Sequence, residues 1–332
     1  MSQNFYDHWL ELTARSQDEK KQARKVINPD DLQWVQTRQD ARAALLVAPE
    51  SGFRTWGTTT MVAEIPEGWQ TGRHSHGEEA IYILEGTGCS VIDGQRFDWE
   101  AGACLKIPFG AMHQHFNLGS GPVSYLSAMA PDLEYVCLLL DLQQHADRGP
   151  ITDLPANLAD SGDHDAKGQR IIVHAKDAPA TSPSQWPADY EHNSFSDTMP
   201  HQMRTGAPSP NALRKTIHLM YPPHFPGGEV EMTSIFCYAA GDYSPKHAHM
   251  EAVLYVLEGG GYSIIDDERC DWVKGGAFHV QGPQTAHQFF ATEPSKLLRV
   301  HFGIRSHFFQ SVARGKFPYL FLGSEEERSL DG

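Results

Sequence analysis

Apolar positions along the chain form short runs rather than long helical stripes. Ala80–Leu84 (AIYIL) and Val253–Leu257 (VLYVL) are β-branched and aromatic, and each is closed by Glu-Gly, the composition of buried strands. Ser90–Trp99 alternates apolar with polar residues around Asp93-Gly94, which predicts a hairpin. Glycine, proline and aromatic residues punctuate such segments about every 8–12 residues, as an antiparallel barrel or jelly roll requires. Two regions break the pattern. Phe5–Val26 is charged and helix-compatible, which predicts an N-terminal helical arm resting on a barrel or a neighbouring subunit. Asp147–Pro210 is rich in Pro, Asp, Ser and Gly. Its first part is expected to link two domains, with Arg170–His174 (RIIVH) opening the second. The aromatic stretch His301–Leu322 is expected to form a closing helix and an anchored strand.

The pattern occurs twice. His74–Gly86 (HSHGEEAIYILEG) aligns without a gap on His247–Gly259 (HAHMEAVLYVLEG), 173 residues later, and SVIDGQRFDW aligns on SIIDDERCDW. After one inserted residue, Gly102 matches Gly276 and His113 matches His287. The chain therefore reads as a tandem duplication. The expected organisation is an arm over residues 1–50, a first barrel over 51–143, a linker over 144–169, and a second barrel with its tail over 170–332. Tyr82 and Tyr255, like Trp99 and Trp272, are expected to pack in the barrels.

Composition narrows the function. With 332 residues and 40% hydrophobic content, two cores can be filled. Lys and Arg total 27 against 42 Asp and Glu, a net charge of −15, which argues against a nucleic-acid partner. The run Val136–Leu142 is interrupted by Asp141 and is far too short for a membrane span. The first twenty residues lack a signal pattern, so a cytoplasmic location is expected. Five scattered cysteines with no CxxC pair suggest reduced thiols rather than disulfides or a thiolate metal site.

The 18 histidines carry the candidate chemistry. In an extended strand alternate side chains share a face, so His74 and His76 present two imidazoles together, as do His247 and His249. Continued extension would add Glu78 and Glu251 to those faces, with Glu79 on the other side unless a bulge swaps the two. His113 and His287 supply a third imidazole from the far hairpin. Imidazoles with a carboxylate suit Fe(II), Mn, Ni, Zn or Cu.

These residues resemble the cupin superfamily. Its first motif, G(X)5HXH followed by an acid and a glycine, is matched by Gly68–Gly86 and by Gly241–Gly259. Its second motif, G(X)5PXG(X)2H(X)3N, is matched in full by Gly102–Asn117. Gly276–Ala291 keeps the glycine and His287 but lacks the PxG and the asparagine. The resemblance implies a mainly β fold of two tandem cupin barrels with an N-terminal helical arm. The acid usual four residues after the second histidine is replaced by Ala80 and Val253. The fourth ligand is thus left between a three-histidine site and an early glutamate, Glu78, Glu79 or Glu251.

The chain is similar to ring-cleaving dioxygenases of the gentisate 1,2-dioxygenase group, and to the large subunit of two-component hydroquinone dioxygenase. That similarity implies Fe(II) held by His74, His76 and His113, or by His247, His249, His287 and Glu251. It also implies a small aromatic substrate, O2, a homo-oligomer, and room for a small partner subunit. His115, two residues beyond His113, is the candidate base for the phenolic proton; its counterpart is Phe289. The competing readings are a Mn, Ni or Zn lyase, decarboxylase or isomerase, and a non-catalytic ligand-binding protein.

Overall fold

A computed structural model describes residues 4–152, 158–181, 215–220, 229–244, 246, 251–282 and 285–302. The expected closing helix and strand beyond residue 302 lie outside them, as do His247 and His249. Within the described residues the protein is mainly β, with antiparallel sheets arranged as two cupin barrels and one long N-terminal helix.

The first barrel has a six-stranded sheet in the order Ile172–His174, Ala103–Ile107, Glu79–Glu85, Val123–Met129, Thr59–Ile65, Arg42–Leu45. Opposite lie Arg73–Ser75, His113–Asn117 and the hairpin Thr87–Ile92/Gln95–Glu100. Asp93 and Gly94 turn that hairpin with φ of 47° and 77°, the left-handed pair that a two-residue connection needs. In the second barrel, Val26–Ile27, Ala277–Val280, Ala252–Glu258, Ser295–Phe302, Val230–Tyr238, Lys215–His218 and Ala180–Thr181 form one sheet. Glu268–Val273, Gly260–Ile265 and His287–Ala291 form the other.

The two large sheets pack back to back. Period-two alternation sends Ile81 and Ile83 into the first barrel, and Leu254 and Val256 into the second. Ala80, Tyr82, Val253 and Tyr255 point the other way, into an apolar layer shared by both barrels. Strands buried on both faces read as continuous apolar runs, which is why AIYIL and VLYVL show no alternation. Tyr82 and Tyr255 thus pack between the barrels rather than inside them, whereas Trp99 and Trp272 lie within their own barrel cores.

Two segments cross over. Ile172–His174, expected to open the second barrel, pairs with Ala103–Leu105 of the first. Reciprocally, Val26–Ile27 of the expected arm pairs with Ala277–Phe278 of the second. Pairing at a distance of 250 residues leaves no local signal. Helix Phe5–Gln22 forms where expected, capped by Asn4 Oδ1, which accepts from the Tyr6 and Asp7 amides at 3.0 Å. The helix is tied to the second barrel by Lys20–Asp266 at 2.7 Å, while Arg42–Leu45, also within the expected arm, is a first-barrel strand.

The repeat alignment shifts by one position near residue 276. The Gly102 amide donates to Ile83 O and the Gly275 amide to Val256 O, each at 2.8 Å. Both glycines have positive φ, 90° and 83°, so Gly275 and not Gly276 is the counterpart of Gly102. The inserted residue lies later, in the turn before His287.

Candidate metal centre

Strands Arg73–Ser75 and His113–Asn117 are neighbours, with His74 directly opposite His113. That register brings His74, His76 and His113 together, with ring centroids 4.2–4.8 Å apart. A nitrogen of each lies within 4.8 Å of the others, and all three residues are buried.

Glu79 completes the cluster. Its Oε2 stands 3.4 Å from His76 Nε2 and 3.5 Å from His113 Nε2. Its Oε1 accepts a hydrogen bond from Ser127 Oγ. The sequence reading placed Glu78 on the histidine face, but the strand stops at Ser75 and resumes at Glu79. The bend at Gly77 resets the alternation. Gly77 is needed there, because a Cβ would collide with the buried Glu134 carboxylate.

The histidines are oriented from behind. His76 Nδ1 donates to Gly77 O at 3.0 Å and His113 Nδ1 to Ala111 O at 2.9 Å. A carbonyl can only accept, so the proton of each ring sits on Nδ1 and Nε2 is the atom turned toward Glu79 as a ligand. His76 Nε2, His113 Nε2, Glu79 Oε2 and His74 Nδ1 are buried without a hydrogen-bond partner. Four orphaned donor atoms in one place are costly and fit a metal ion. With bonds near 2.1 Å, neighbouring ligand atoms should lie roughly 3.0–3.5 Å apart, and the two Glu79 distances match.

Electrostatics agree. Burial, reinforced by His113 and His76, drives the His74 imidazole down to about 2. Burial would raise the Glu79 carboxyl, but the neighbouring imidazoles of His113 and His76 hold it well below its usual value. Burial would lower His76, yet the adjacent Glu79 carboxylate raises it. The carboxylate thus attracts positive charge to this spot, proton or metal ion alike.

His115 lies beside the cluster, its ring 5.6 Å from that of His113 and 5.9 Å from that of Tyr125, and a nitrogen of it lies within 4.8 Å of ligand atoms of Glu79 and His113. Its Nδ1 shares a 2.7 Å hydrogen bond with Ser90 Oγ, which accepts from Trp99 Nε1 at 2.9 Å. Burial lowers it to about 3, so it is a neutral imidazole. Beyond it Tyr125 Oη donates to the buried Asp40 carboxylate.

The second barrel differs. Glu251, expected as a ligand, lies on the opposite face from the interior Ala252. Its Oε1 is 2.9 Å from His279 Nε2 and accepts the Trp56 amide at 3.1 Å. Its strand phase therefore carries it away from the lumen. His287 is buried and bonds Thr285 O through Nδ1 at 3.0 Å, as His113 does Ala111. Among the described residues, the second barrel supplies no three-ligand cluster. Neither Cys89 nor Cys104 joins the first-barrel cluster.

The sequence reading missed Lys106, Ser127, Glu134 and the role of His279. Their only signal is strand parity once the sheets are paired.

Residues 61–129 match the family described as Cupin domain. An uncharacterized protein from Methanocaldococcus jannaschii is 35% identical over 71 residues, 21% of this chain and 57% of that protein. The chain thus spans little more than half of that curated relative. Salicylate 1,2-dioxygenase from Pseudoaminobacter salicylatoxidans, in a crystal structure of its adducts with gentisate, superposes with a TM-score of 0.57 at 14% identity. That superposition covers 93% of this chain and 94% of the dioxygenase. The protein Ylba from E. coli superposes with a TM-score of 0.50 at 11% identity, over 83% and 88%. The chain carries a cupin domain and has the cupin fold of these structures. Among the described residues, no helix is long and apolar enough to cross a membrane.

Proposed function

We propose that the first barrel binds Fe(II) through His74, His76, His113 and Glu79, and that the protein is a dioxygenase. Its substrate would be a hydroxylated aromatic compound of the gentisate, hydroquinone or salicylate class, whose ring it opens with O2. The observation that carries this reading is the convergence of four orphaned, buried donor atoms. The fold shared with a salicylate 1,2-dioxygenase supports the choice of reaction.

Bound Fe(II) would supply Lewis acidity toward a phenolic oxygen and redox chemistry with O2. The protein's own residues do the rest. Gly77 O and Ala111 O fix the tautomers of His76 and His113. Ser127 holds Glu79 Oε1 and leaves Oε2 facing the imidazoles. The exposed Phe109 and Met112 give the neighbouring surface an apolar edge for an aromatic ring; Gly110, between them, donates to His76 O at 2.8 Å. His115, its ring 5.6 Å from that of His113, would be the acceptor for the phenolic proton. Helix Phe5–Gln22 buries none of its residues and leaves Phe5 and Trp9 exposed, which supports an oligomer built through the arm.

Glu79 favours one second reading. A carboxylate among three imidazoles also suits Mn, Ni or Zn, in a lyase, decarboxylase or isomerase. Elemental analysis of anaerobically purified, untagged protein separates the two. Iron near one atom per chain, lost in His74→Ala, with O2 uptake on gentisate or hydroquinone, supports the dioxygenase. A redox-silent metal without O2 uptake supports the second reading. Wild-type protein that takes up no metal, even when offered Fe(II), would sink both.

A further inference from the structure

The two glutamates excluded from the barrel lumens do the same thing in each half. Glu78 Oε1 pairs with Lys106 Nζ, and Glu78 Oε2 accepts the Glu229 amide at 2.8 Å. Glu251 Oε1 pairs with His279 Nε2 and accepts the Trp56 amide. Each of the three second-half residues, 251, 279 and 229, is its first-half counterpart (78, 106 and 56) plus 173, the offset of the duplication. Each carboxylate therefore binds a side chain of its own barrel and a backbone amide from the segment leading into the other. The result is a reciprocal pair of latches across the barrel–barrel seam.

The latches differ in what they sit beside. Glu78 lies between His76 and Glu79 on a bend that Glu134 presses against at Gly77. Lys106 is itself fixed, donating to Val230 O of the second barrel at 2.9 Å. Glu251 precedes Ala252, which offers no ligand. We propose that Glu78 is a positioning residue for the first-barrel metal centre. Held by Lys106 and the Glu229 amide, it sets the bend that aims His76 and Glu79, so the second barrel buttresses the site of the first. Glu251 fastens the seam beside Ala252, which stands where the first barrel has Glu79.

This inference rests on the metal reading above and is tested on full-length apoprotein by Co(II) titration against a chelating dye. The Co(II) absorption spectrum and thermal unfolding are followed alongside. Glu78→Gln and Glu251→Gln should both lower the melting temperature, Glu78→Gln the more because it leaves the Lys106 charge buried. Glu78→Gln should weaken Co(II) binding by about ten- to a hundredfold, the usual effect of losing an outer-sphere support, and change the spectrum. Glu251→Gln should stay within about twofold of wild type on the same scale. Should Glu78→Gln unfold, Glu78→Met/Lys106→Met removes both charges in similar volume and should show the same weakened binding. Wild-type Co(II) affinity in a folded Glu78 variant, or equal losses in the two single variants, overturns the positioning role while leaving the metal reading intact. A wild-type protein that binds no Co(II) overturns both, and does so before any variant is needed.

Discussion

The two barrels share a scaffold down to single hydrogen bonds, yet their lumens have parted. Trp99 Nε1 donates to Ser90 Oγ at 2.9 Å and Trp272 Nε1 to Ser263 Oγ at 3.0 Å. Gln114 Nε2 reaches Thr71 O at 2.8 Å, and Gln288 Nε2 reaches Ser244 O at 2.9 Å. At three interior places the chemistry is exchanged. Glu79 is replaced by Ala252, His115 by Phe289, and Tyr125, opposite Ile83, by Leu297, opposite Val256. The bonds that survive tie neighbouring strands together; the residues that changed reach the lumen. Among the described residues, the three-ligand clusters all lie in the first barrel.

The comparison breaks most sharply at the third histidine. His113→Ala should cut metal affinity by more than about a hundredfold, beyond what an outer-sphere loss produces. His287→Ala should leave metal stoichiometry at the wild-type value. Metal analysis of both variants after dialysis against one buffered metal concentration decides the matter. Equal losses would show that the second barrel binds metal as well.

The seam should break next. Lys106→Met leaves the Glu78 carboxylate buried with an amide alone, and losing one partner of a buried ion pair costs about 3–5 kcal/mol. His279→Leu removes a hydrogen bond to Glu251, which keeps the Trp56 amide, at a cost of about 1–3 kcal/mol. Urea unfolding of both variants should rank them in that order, and the reverse order would mean the Glu251 latch carries more of the seam.

What the sequence displayed, and what it concealed, follows the same line. The HxH pairs, His113, the Asp93-Gly94 turn and the helix behind Asn4 are local patterns of spacing and turn chemistry, and they were readable. The choice of Glu79 over Glu78 was not, because strict alternation from His74 fails at Gly77, where the Glu134 carboxylate approaches from a distant helix. The exchanged strands Val26–Ile27 and Ile172–His174 were hidden for a related reason. Their partners are set by the shared apolar layer, which no single segment announces. His279 read as an isolated histidine, since Glu251 meets it only once Ala252–Glu258 and Ala277–Val280 are paired.

Deeper in the first lumen, stability should vary with pH. Burial raises the Asp40 carboxyl to about 7 despite the Tyr125 hydrogen bond. The folded state therefore holds this proton more tightly than the unfolded chain, whose Asp titrates near 4. The contribution to stability is fully present below pH ~4, falls as pH rises, and levels off above pH ~7, a loss of about 4 kcal/mol at most. Asp40→Asn should abolish that slope, matching wild type near pH 4 and exceeding it at pH 8. Parallel slopes for the two proteins would place the titrating group elsewhere. Burial also raises Glu229, in the segment leading into the second barrel, to about 7, so the Asp40 contribution is read as the difference between wild type and Asp40→Asn.

The smallest effect is the most discriminating, because it compares two sites that look identical. Trp99→Phe and Trp272→Phe each remove one indole N–H from a buried serine and the same ring volume from beneath a close glycine, Gly88 or Gly261. On scaffold grounds alone the two should cost the same. They differ in what the serine keeps. Ser90 retains its hydrogen bond to His115 Nδ1, whereas the residue at that place in the second barrel is Phe289, which has no polar atom to give. A buried hydroxyl left without a partner costs about 1–3 kcal/mol, against roughly 1 kcal/mol for losing one bond of two. Trp272→Phe should therefore be the more destabilising by about 1 kcal/mol, read as a difference in urea midpoint at unchanged slope. Adding His115→Phe to Trp99→Phe should erase that difference. If the single variants are already equal, His115 does not support Ser90, and the link from the scaffold to the candidate base is broken.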